Sequence, residues 1–399
     1  MTDTAQHTVS TTRRAAMLGL GVAAQAAQAV LVNGTAFLIP TLHDEYGLTL
    51  AQAGTLASAP IVGVMLTLVA WGALADRYGE RVVLAAGLAL AAASTTAATV
   101  VTALPALAVL LAFGGAAAAA ANAASGRVVV GWFPPHQRGL AMGIRQMSLP
   151  LGVAVAAMTV PVLARDHGIG WALAFPAAAC ALAAAACAIW IADPPRPAPG
   201  DAADLGLLAN PYRTTGTLQR IHATSILLVV PQYVVWTYAL VWLVTDRGWS
   251  ESSAGIVITA AQFLGAAGRV AAGVWSDRVG SRLRPLRTVA LAVSVSMLAL
   301  AAAAATGSPV AVALLVVASV TTVAPNGLAF TAVAEIAGPY WSGRALGIQN
   351  TGQFIAAAAV GPVFGAVIGV IGFPAAFAVA ALMPAAAAPL VPTHHPART

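Results

Sequence analysis

Residues 72–81 read Gly-Ala-Leu-Ala-Asp-Arg-Tyr-Gly-Glu-Arg, and residues 273–282 read Gly-Val-Trp-Ser-Asp-Arg-Val-Gly-Ser-Arg. The two segments share the pattern Gly-x-x-x-Asp-Arg-x-Gly-x-Arg, and every shared residue recurs 201 positions later. Each segment separates two apolar stretches, so each is predicted to be a short turn between two helices. The repeat therefore predicts a chain made of two similar halves.

The composition of the chain excludes a water-soluble globule. Of its 399 residues, 59% are hydrophobic and only 8% are charged, whereas an ordinary soluble domain has about 25% charged residues. Twelve apolar stretches of about 20 residues can be counted, and each is long enough to cross a hydrocarbon core about 30 Å thick. The sequence thus predicts an all-α membrane protein with twelve transmembrane helices, spans 1 to 12.

The order of these stretches predicts six spans in each half. The predicted spans lie near 15–40, 52–75, 82–104, 106–131, 139–164 and 170–192, and then near 221–245, 252–275, 287–306, 309–334, 344–370 and 372–392. The segment between the two sets holds five prolines, three aspartates and two arginines, a composition typical of an unburied linker. The predicted organisation is a tail (1–14), a six-helix bundle (15–192), a linker (193–219), a second six-helix bundle (220–392) and a tail (393–399).

The arginines predict the orientation of the chain in the membrane. All 19 basic residues are arginine. If the N-terminus is cytoplasmic, 14 arginines fall on that side, two on the other side and three within spans. Because cytoplasmic loops are enriched in basic residues, we predict a multi-pass protein of the cell membrane with both termini in the cytoplasm. The arginines form no continuous patch, which argues against a nucleic-acid partner.

A second set of motifs extends the repeat. Residues 138–146 (Arg-Gly-Leu-Ala-Met-Gly-Ile-Arg-Gln), which enter span 5, are echoed by residues 344–350 (Arg-Ala-Leu-Gly-Ile-Gln-Asn), which enter span 11. Span 4 ends in Arg127-x-x-x-Gly131, followed by Trp132-Phe133-Pro134. With these motifs the sequence resembles the major facilitator superfamily over essentially its whole length, and the Trp-Phe-Pro stretch is similar to loops of nitrate/nitrite, cyanate and organic-acid carriers.

The resemblance implies a carrier with alternating access, in which two six-helix bundles rock about a central substrate site. In that family spans 1, 4, 7 and 10 line the cavity, and spans 2, 5, 8 and 11 form the interface between the bundles. The setting of Arg269 resembles span 8 of monocarboxylate and oxalate/formate carriers, in which an arginine at this spacing contacts the substrate carboxylate.

The repeated turns are predicted to form a cytoplasmic gate. Glycines let two backbones approach, carboxylates can accept hydrogen bonds from amides at a helix N-terminus, and arginines can bridge to nearby carboxylates. The alternative is that these residues are only topogenic charges. Glu335 is expected to be an ion-pair partner close to Arg344 and the Asp277 turn. The predicted gating residues are Gly72, Asp76, Arg77, Gly79, Arg81, Arg127, Gly273, Asp277, Arg278, Gly280, Arg282, Glu335 and Arg344.

Two arginines inside spans are candidates for substrate contact. Arg145 and Arg269 are each expected about six residues from a cytoplasmic helix end, which is about 9 Å at 1.5 Å per residue. A charge within the bilayer is costly and is typically functional, although long side chains also extend to the membrane surface. A planar guanidinium suits a carboxylate or another small oxyanion. Arg145 corresponds to Gln349 in the repeat, so the fold itself does not require a charge there.

Neutral polar and aromatic side chains complete the predicted cavity, although hydrogen bonds between helices are the commoner use of such residues. The predicted substrate-binding residues are Arg269, Arg145, Gln28, Asn33, Asn122, Gln232, Tyr233, Trp236, Asn326 and Asn350, and Gln25 and Ser125 lie on the same spans.

These patterns favour a secondary, non-ATP transporter for a small organic anion such as a carboxylate. The alternatives are an exporter of hydrophobic drugs or metabolites on the same fold, and a membrane sensor. An enzyme is disfavoured, because the chain has no lysine for a phosphate-binding loop and no nucleophile spaced to meet a base. No metal or cofactor is predicted. The expected partners are the lipid bilayer and an anionic small molecule, and the sequence is compatible with coupling to a proton or a counter-anion, although no Asp or Glu lies near the middle of a span.

Overall fold

The computed structural model describes residues 10–213 and 216–393. Most of the two predicted tails, and Arg398 within them, lie outside these residues. Span 1 is Thr11–Gly34 continued by Thr35–Leu38 and Ile39–Asp44. Spans 2 to 6 are Leu50–Tyr78, Glu80–Ala98, Leu104–Trp132, Arg138–Arg145 with Ser148–His167, and Ile169–Trp190. Spans 7 to 12 are Thr217–Thr245, Glu251–Val279, Leu283–Ala305, Val310–Val323 with Pro325–Ala337, and Ser342–Leu390, which contains both spans 11 and 12.

The spans extend beyond the apolar stretches that predict them, because polar caps and glycines set their ends. Span 2 begins with a capping box. The main-chain N–H of Gln52 donates to the Thr49 hydroxyl at 3.2 Å, and the main-chain N–H of Thr49 donates to the side-chain oxygen of Gln52 at 3.0 Å. Gly79, Gly168 and Gly372 have φ of 88°, 85° and 78°, a region that L side chains rarely adopt. Each of these glycines alone separates two successive spans.

The chain is an all-α membrane protein with two pseudo-symmetric six-helix bundles. In the first bundle, small side chains of span 4 such as those of Ala117–Ala121 are buried, so span 4 packs closely against spans 2 and 3. In the second bundle, Trp242 is fully buried and meets Phe377 edge-on, with ring centroids 5.7 Å apart. Apolar side chains also cover much of the outside, and their exposure suits contact with lipid acyl chains. Examples are Leu66, Val100, Met158, Phe263 and Val370.

Spans 5 and 10 are each broken where a proline removes a backbone donor. Span 5 is interrupted at Gln146 and Met147, just before Pro150, and span 10 is interrupted at Ala324, just before Pro325. Because proline has no N–H, the carbonyl four residues earlier in a helix has no main-chain partner. The break in span 5 lies next to Arg145.

The linker is more ordered than its composition predicts. It contains the short helix Pro199–Asp204, and Ala202 within it is fully buried. The Trp341 indole N–H donates to the carbonyl of Leu208 at 3.1 Å, and the Tyr212 hydroxyl hydrogen-bonds the His222 ring at 2.8 Å. Burial there raises the pKa of the Tyr212 phenol above its ordinary value. The polar composition conceals these contacts, because a few aromatic and alanine side chains provide them.

Candidate substrate site and gate

The first gate contact joins the end of span 2 to the start of span 11. Asp76 accepts hydrogen bonds from the main-chain amides of Gly343 at 2.8 Å and Arg344 at 3.0 Å. These amides are among the first N–H groups of span 11, which have no partner within the helix and attract negative charge. Arg127 holds the carboxylate from the other side, with Nη1 2.9 Å from Asp76 Oδ1, Nε 2.9 Å from Glu80, and Nη2 donating to the carbonyl of Pro339 at 3.0 Å.

The second gate contact repeats this geometry between span 8 and span 5. Asp277 accepts hydrogen bonds from the amides of Gly139 at 2.9 Å and Leu140 at 2.8 Å, at the start of span 5. Its charge is balanced by Arg282, whose Nη1 lies 2.6 Å from Asp277 Oδ1. The repeated aspartates therefore cap the first turn of a helix in the opposite half.

Two glycine pairs make these contacts possible. Gly72 lies against Gly343, and Gly139 lies against Gly273, so closely that a Cβ on any of the four would overlap the carbonyl oxygen of its partner. Small residues of this kind allow helix backbones to touch. The two halves are thus closed against each other at the face predicted to be cytoplasmic.

The two gate contacts differ in their cations. Glu335 is an ion-pair partner beside the Asp277 turn, as expected. Its carboxylate lies 3.4 Å from Arg138 and 3.3 Å from Arg282, whereas the carboxylate nearest to Arg344 is Asp76, at 3.8 Å. Arg344 lies over the ring of Trp341. Arg81, which corresponds to Arg282 in the repeat, donates instead to the carbonyl of Ala188 in span 6 at 2.8 Å. Arg77, Arg278 and Gly280 are exposed, and Gly79 is buried at the turn between spans 2 and 3.

Arg145 is buried between the two bundles. It is 1% exposed, which excludes the alternative that its side chain extends to the membrane surface. Its Nε and Nη2 donate to the Ser125 hydroxyl at 3.1 and 2.9 Å, and Nη2 also donates to the Asn122 carbonyl at 3.1 Å. Its Nη1 donates to the Gln146 side chain at 2.6 Å, and Phe330 of the second bundle lies 5.8 Å from the guanidinium carbon.

Arg269 extends from span 8 across to span 5. It is 4% exposed, its Nη1 donates to the main-chain carbonyl of Gln146 at 2.7 Å, and its Nε is buried without a hydrogen-bond partner in the described chain. Arg145 lies seven residues from Arg138, the start of span 5, and Arg269 lies ten residues from Val279, the end of span 8, where six were expected for each. Both guanidinium groups nevertheless reach the same residue, Gln146. Within residues 10–213 and 216–393, neither arginine has a carboxylate partner.

Two amide pairs flank the arginines in repeat-related positions. Gln25 in span 1 donates to Asn122 in span 4 at 2.9 Å, and Asn326 in span 10 donates to Gln232 in span 7 at 3.0 Å. The Ser125 hydroxyl also donates to Gln25 at 3.0 Å and so connects the first pair to Arg145. These residues form hydrogen bonds between helices in this structure, and their role in substrate binding stays a prediction.

The remaining predicted binding residues are less closely connected. The amides of Asn33 and Asn350 donate to carbonyls one turn earlier in their own helices, at 3.1 and 2.9 Å. Gln28 is buried, and within the part of the chain that the structure describes its side-chain oxygen has no hydrogen-bond partner. The rings of Tyr233 and Trp236 contact each other, with centroids 5.4 Å apart. Gln146, which contacts both arginines, was not singled out from the sequence.

The sequence profile of the Major Facilitator Superfamily matches residues 21–359 and, in a second match, residues 223–398. The chain belongs to this superfamily. It is therefore a multi-pass membrane transporter, and members of its family move small molecules. Its two similar turns, residues 72–81 and 273–282, are the family's repeat.

Relatives and solved structures agree with this assignment. An uncharacterized MFS-type transporter of Mycobacterium tuberculosis is 49% identical over 376 residues, which cover 94% of this chain and 84% of the relative. A chloroplast protein of Arabidopsis thaliana named as an anion transporter is 32% identical over 39% of this chain and 29% of its own length. The hexuronate transporter of Bacillus subtilis is 21% identical over 60% of this chain and 59% of its own length.

The fold of this transporter is shared with FucP of E. coli in its outward conformation. The two structures superpose with a TM-score of 0.74 over 94% of this chain and 97% of FucP, at 18% sequence identity. At that identity the match shows the fold alone.

Proposed function

We propose that this transporter carries a small organic anion, such as a carboxylate, and that Arg145 and Arg269 are its counter-charges. The observation that supports the proposal is the pair of buried guanidinium groups that meet at Gln146 without a carboxylate partner in the described chain. Burying an uncompensated charge costs several kcal/mol even after relaxation. An anionic substrate would supply the missing charge and accept hydrogen bonds in the planar geometry that arginine offers.

The relatives support the same substrate class. One is named an anion transporter, and another is named for hexuronate, a sugar acid. An exporter of hydrophobic compounds has no comparable support, because such a substrate would leave both buried charges uncompensated. The predicted gating residues are proposed to close the cytoplasmic face during part of the transport cycle.

We further propose that the protein lies in the cell membrane with both termini in the cytoplasm. The positive-inside distribution of its arginines supports this orientation. The closed face is then the cytoplasmic one, so the substrate in this state would exchange with the outside.

Uptake into liposomes tests the proposal. Purified protein is reconstituted, and we measure the accumulation of radiolabelled D-glucuronate, oxalate, succinate, lactate and phosphate. A pH gradient tests proton coupling, and preloaded unlabelled anion tests exchange. We expect at least one anion to accumulate, and Arg269→Gln to lower that flux at least about a hundredfold, because a bidentate charged contact is lost.

The control is Arg165→Gln, which removes an exposed arginine that is paired with Asp166 at the predicted outer face. Its flux should equal that of the wild type. Equal flux in the Arg269→Gln variant would overturn the site assignment. Efflux of unrelated lipophilic dyes without any anion flux would favour the exporter.

A further inference from the structure

The main-chain carbonyl of Gln146 lacks its helical hydrogen-bond donor because of the residue four positions later. In an unbroken helix this oxygen would accept a hydrogen bond from the N–H of residue 150, and residue 150 is proline. Span 5 is interrupted at this point, and the Gln146 carbonyl accepts a hydrogen bond instead from Arg269 of the other half, at 2.7 Å. The proline thus creates an acceptor on the surface of span 5 that faces span 8.

The side chain of Gln146 binds the other arginine, Arg145. Gln146 Oε1 accepts from Arg145 Nη1 at 2.6 Å, and the residue is buried. One neutral residue therefore presents two oxygen atoms to two guanidinium groups. This is the arrangement in which the two oxygens of an anion would be held, with the difference that an amide oxygen has no full negative charge.

We propose that Gln146 is a place-holder ligand, whose side-chain and main-chain oxygens occupy the guanidinium groups of Arg145 and Arg269 until an anionic substrate displaces them. The inference rests on the proposed function above. A carboxylate displaces the amide because it carries a full negative charge that the amide oxygen lacks, and because it can accept two parallel hydrogen bonds from one guanidinium. The buried Nε of Arg269, which has no partner among the described residues, offers the substrate a further donor.

Displacement of Gln146 also links binding to movement of the two halves. The bond from Arg269 to Gln146 joins span 8 to span 5, and Gly143 one turn earlier packs against the backbone of Arg269. The same two spans meet again at Asp277, near the closed face. A substrate that binds Arg269 in place of Gln146 breaks one of the contacts that hold the halves together. Its binding energy therefore favours opening of the gate.

Equilibrium binding to the full-length protein in detergent tests the inference. Labelled D-glucuronate, oxalate, succinate and lactate are used as probes. Gln146→Ala should lower the Kd at least about threefold, since the competitor of the anion on Arg145 is gone, and Gln146→Glu should raise it at least about tenfold, since a tethered carboxylate occupies the site. Pro150→Ala restores a helix donor for the Gln146 carbonyl, which releases Arg269, and should also lower the Kd.

The control is Gln137→Glu, which adds the same charge at an exposed position beyond the start of span 5. A purely structural role for Gln146 would weaken binding in both variants, so the opposite signs distinguish the two roles. If Gln146→Ala and Gln146→Glu shift the Kd in the same direction, or not at all, while Arg269→Gln abolishes binding, the inference is wrong and the proposed function stands. If the wild type binds none of the four probes, both are wrong.

Discussion

Replacement of Gly273 by valine is expected to lower transport at least about a hundredfold, because interfaces between packed helices switch between discrete arrangements and do not deform gradually. A Cβ at this position would overlap the carbonyl oxygen of Gly139, so span 8 could no longer touch the start of span 5. The variant should fold, since its two bundles are otherwise unchanged, but it should remain open at the predicted cytoplasmic face.

Thiol labelling at the other gate contact measures this effect. Leu346 is fully buried near the start of span 11 and lies against Gly126 of the first bundle, so Leu346→Cys, in a background with both native cysteines replaced by alanine, reports opening between the two halves there. Gly273→Val should accelerate maleimide labelling there. Gly255→Val is the matched control in span 8, because a Cβ at Gly255 meets nothing within 4 Å. Transport at the wild-type rate by Gly273→Val would show that the closed contact is not part of the cycle.

Replacement of Asp76 by asparagine is expected to shift the protein towards the state that is open at this face. The substitution removes the charge from two hydrogen bonds to the N-terminus of span 11, each worth about 1.5–3 kcal/mol with a charged acceptor. A loss of about 2 kcal/mol changes the population ratio by about thirtyfold. Labelling of Ser276→Cys, which is buried against Gly139 at the opposite contact, gives the population.

Asp277→Asn is the matched variant, since Asp277 also accepts from two amides in the other half. It should produce a similar shift, now measured at Leu346→Cys. Each aspartate balances an arginine of its own bundle, but Asp76 is more deeply buried than Asp277, so the melting temperature should fall further in Asp76→Asn. An unchanged labelling rate in both variants would mean that the capping bonds do not stabilise the closed state.

Much of this fold could be predicted from the sequence, because its signals are local and repeated. A span of about 20 apolar residues has few alternatives to a membrane helix, and the duplicated turn places Asp76 and Asp277 in equivalent positions. The exact span ends could not be predicted, since they depend on the capping by Thr49 and on the positive φ of Gly79, which apolar periodicity does not record.

The site was predicted less completely, because its contacts join residues far apart in sequence. Arg145 and Arg269 could be singled out as charges within apolar spans, but their meeting at Gln146 depends on how two halves pack. A signal for Gln146 was nevertheless present, namely Pro150 four residues later, which leaves a helical carbonyl unpaired. For Glu335 the Asp277 turn was expected, and Arg282 of that turn is a partner, whereas Arg138 was not expected because Arg344 holds the equivalent position in the repeat.

The single-residue corners at Gly168 and Gly372 limit what the opposite face of the protein offers to its surroundings. Spans 5 and 6, and spans 11 and 12, meet there through one glycine each, with almost no connecting polypeptide outside the helices. Antibodies and proteases recognise extended loops, so these two corners present neither a flexible epitope nor a cleavable segment. A partner that binds at these two corners must instead recognise the ends of the helices.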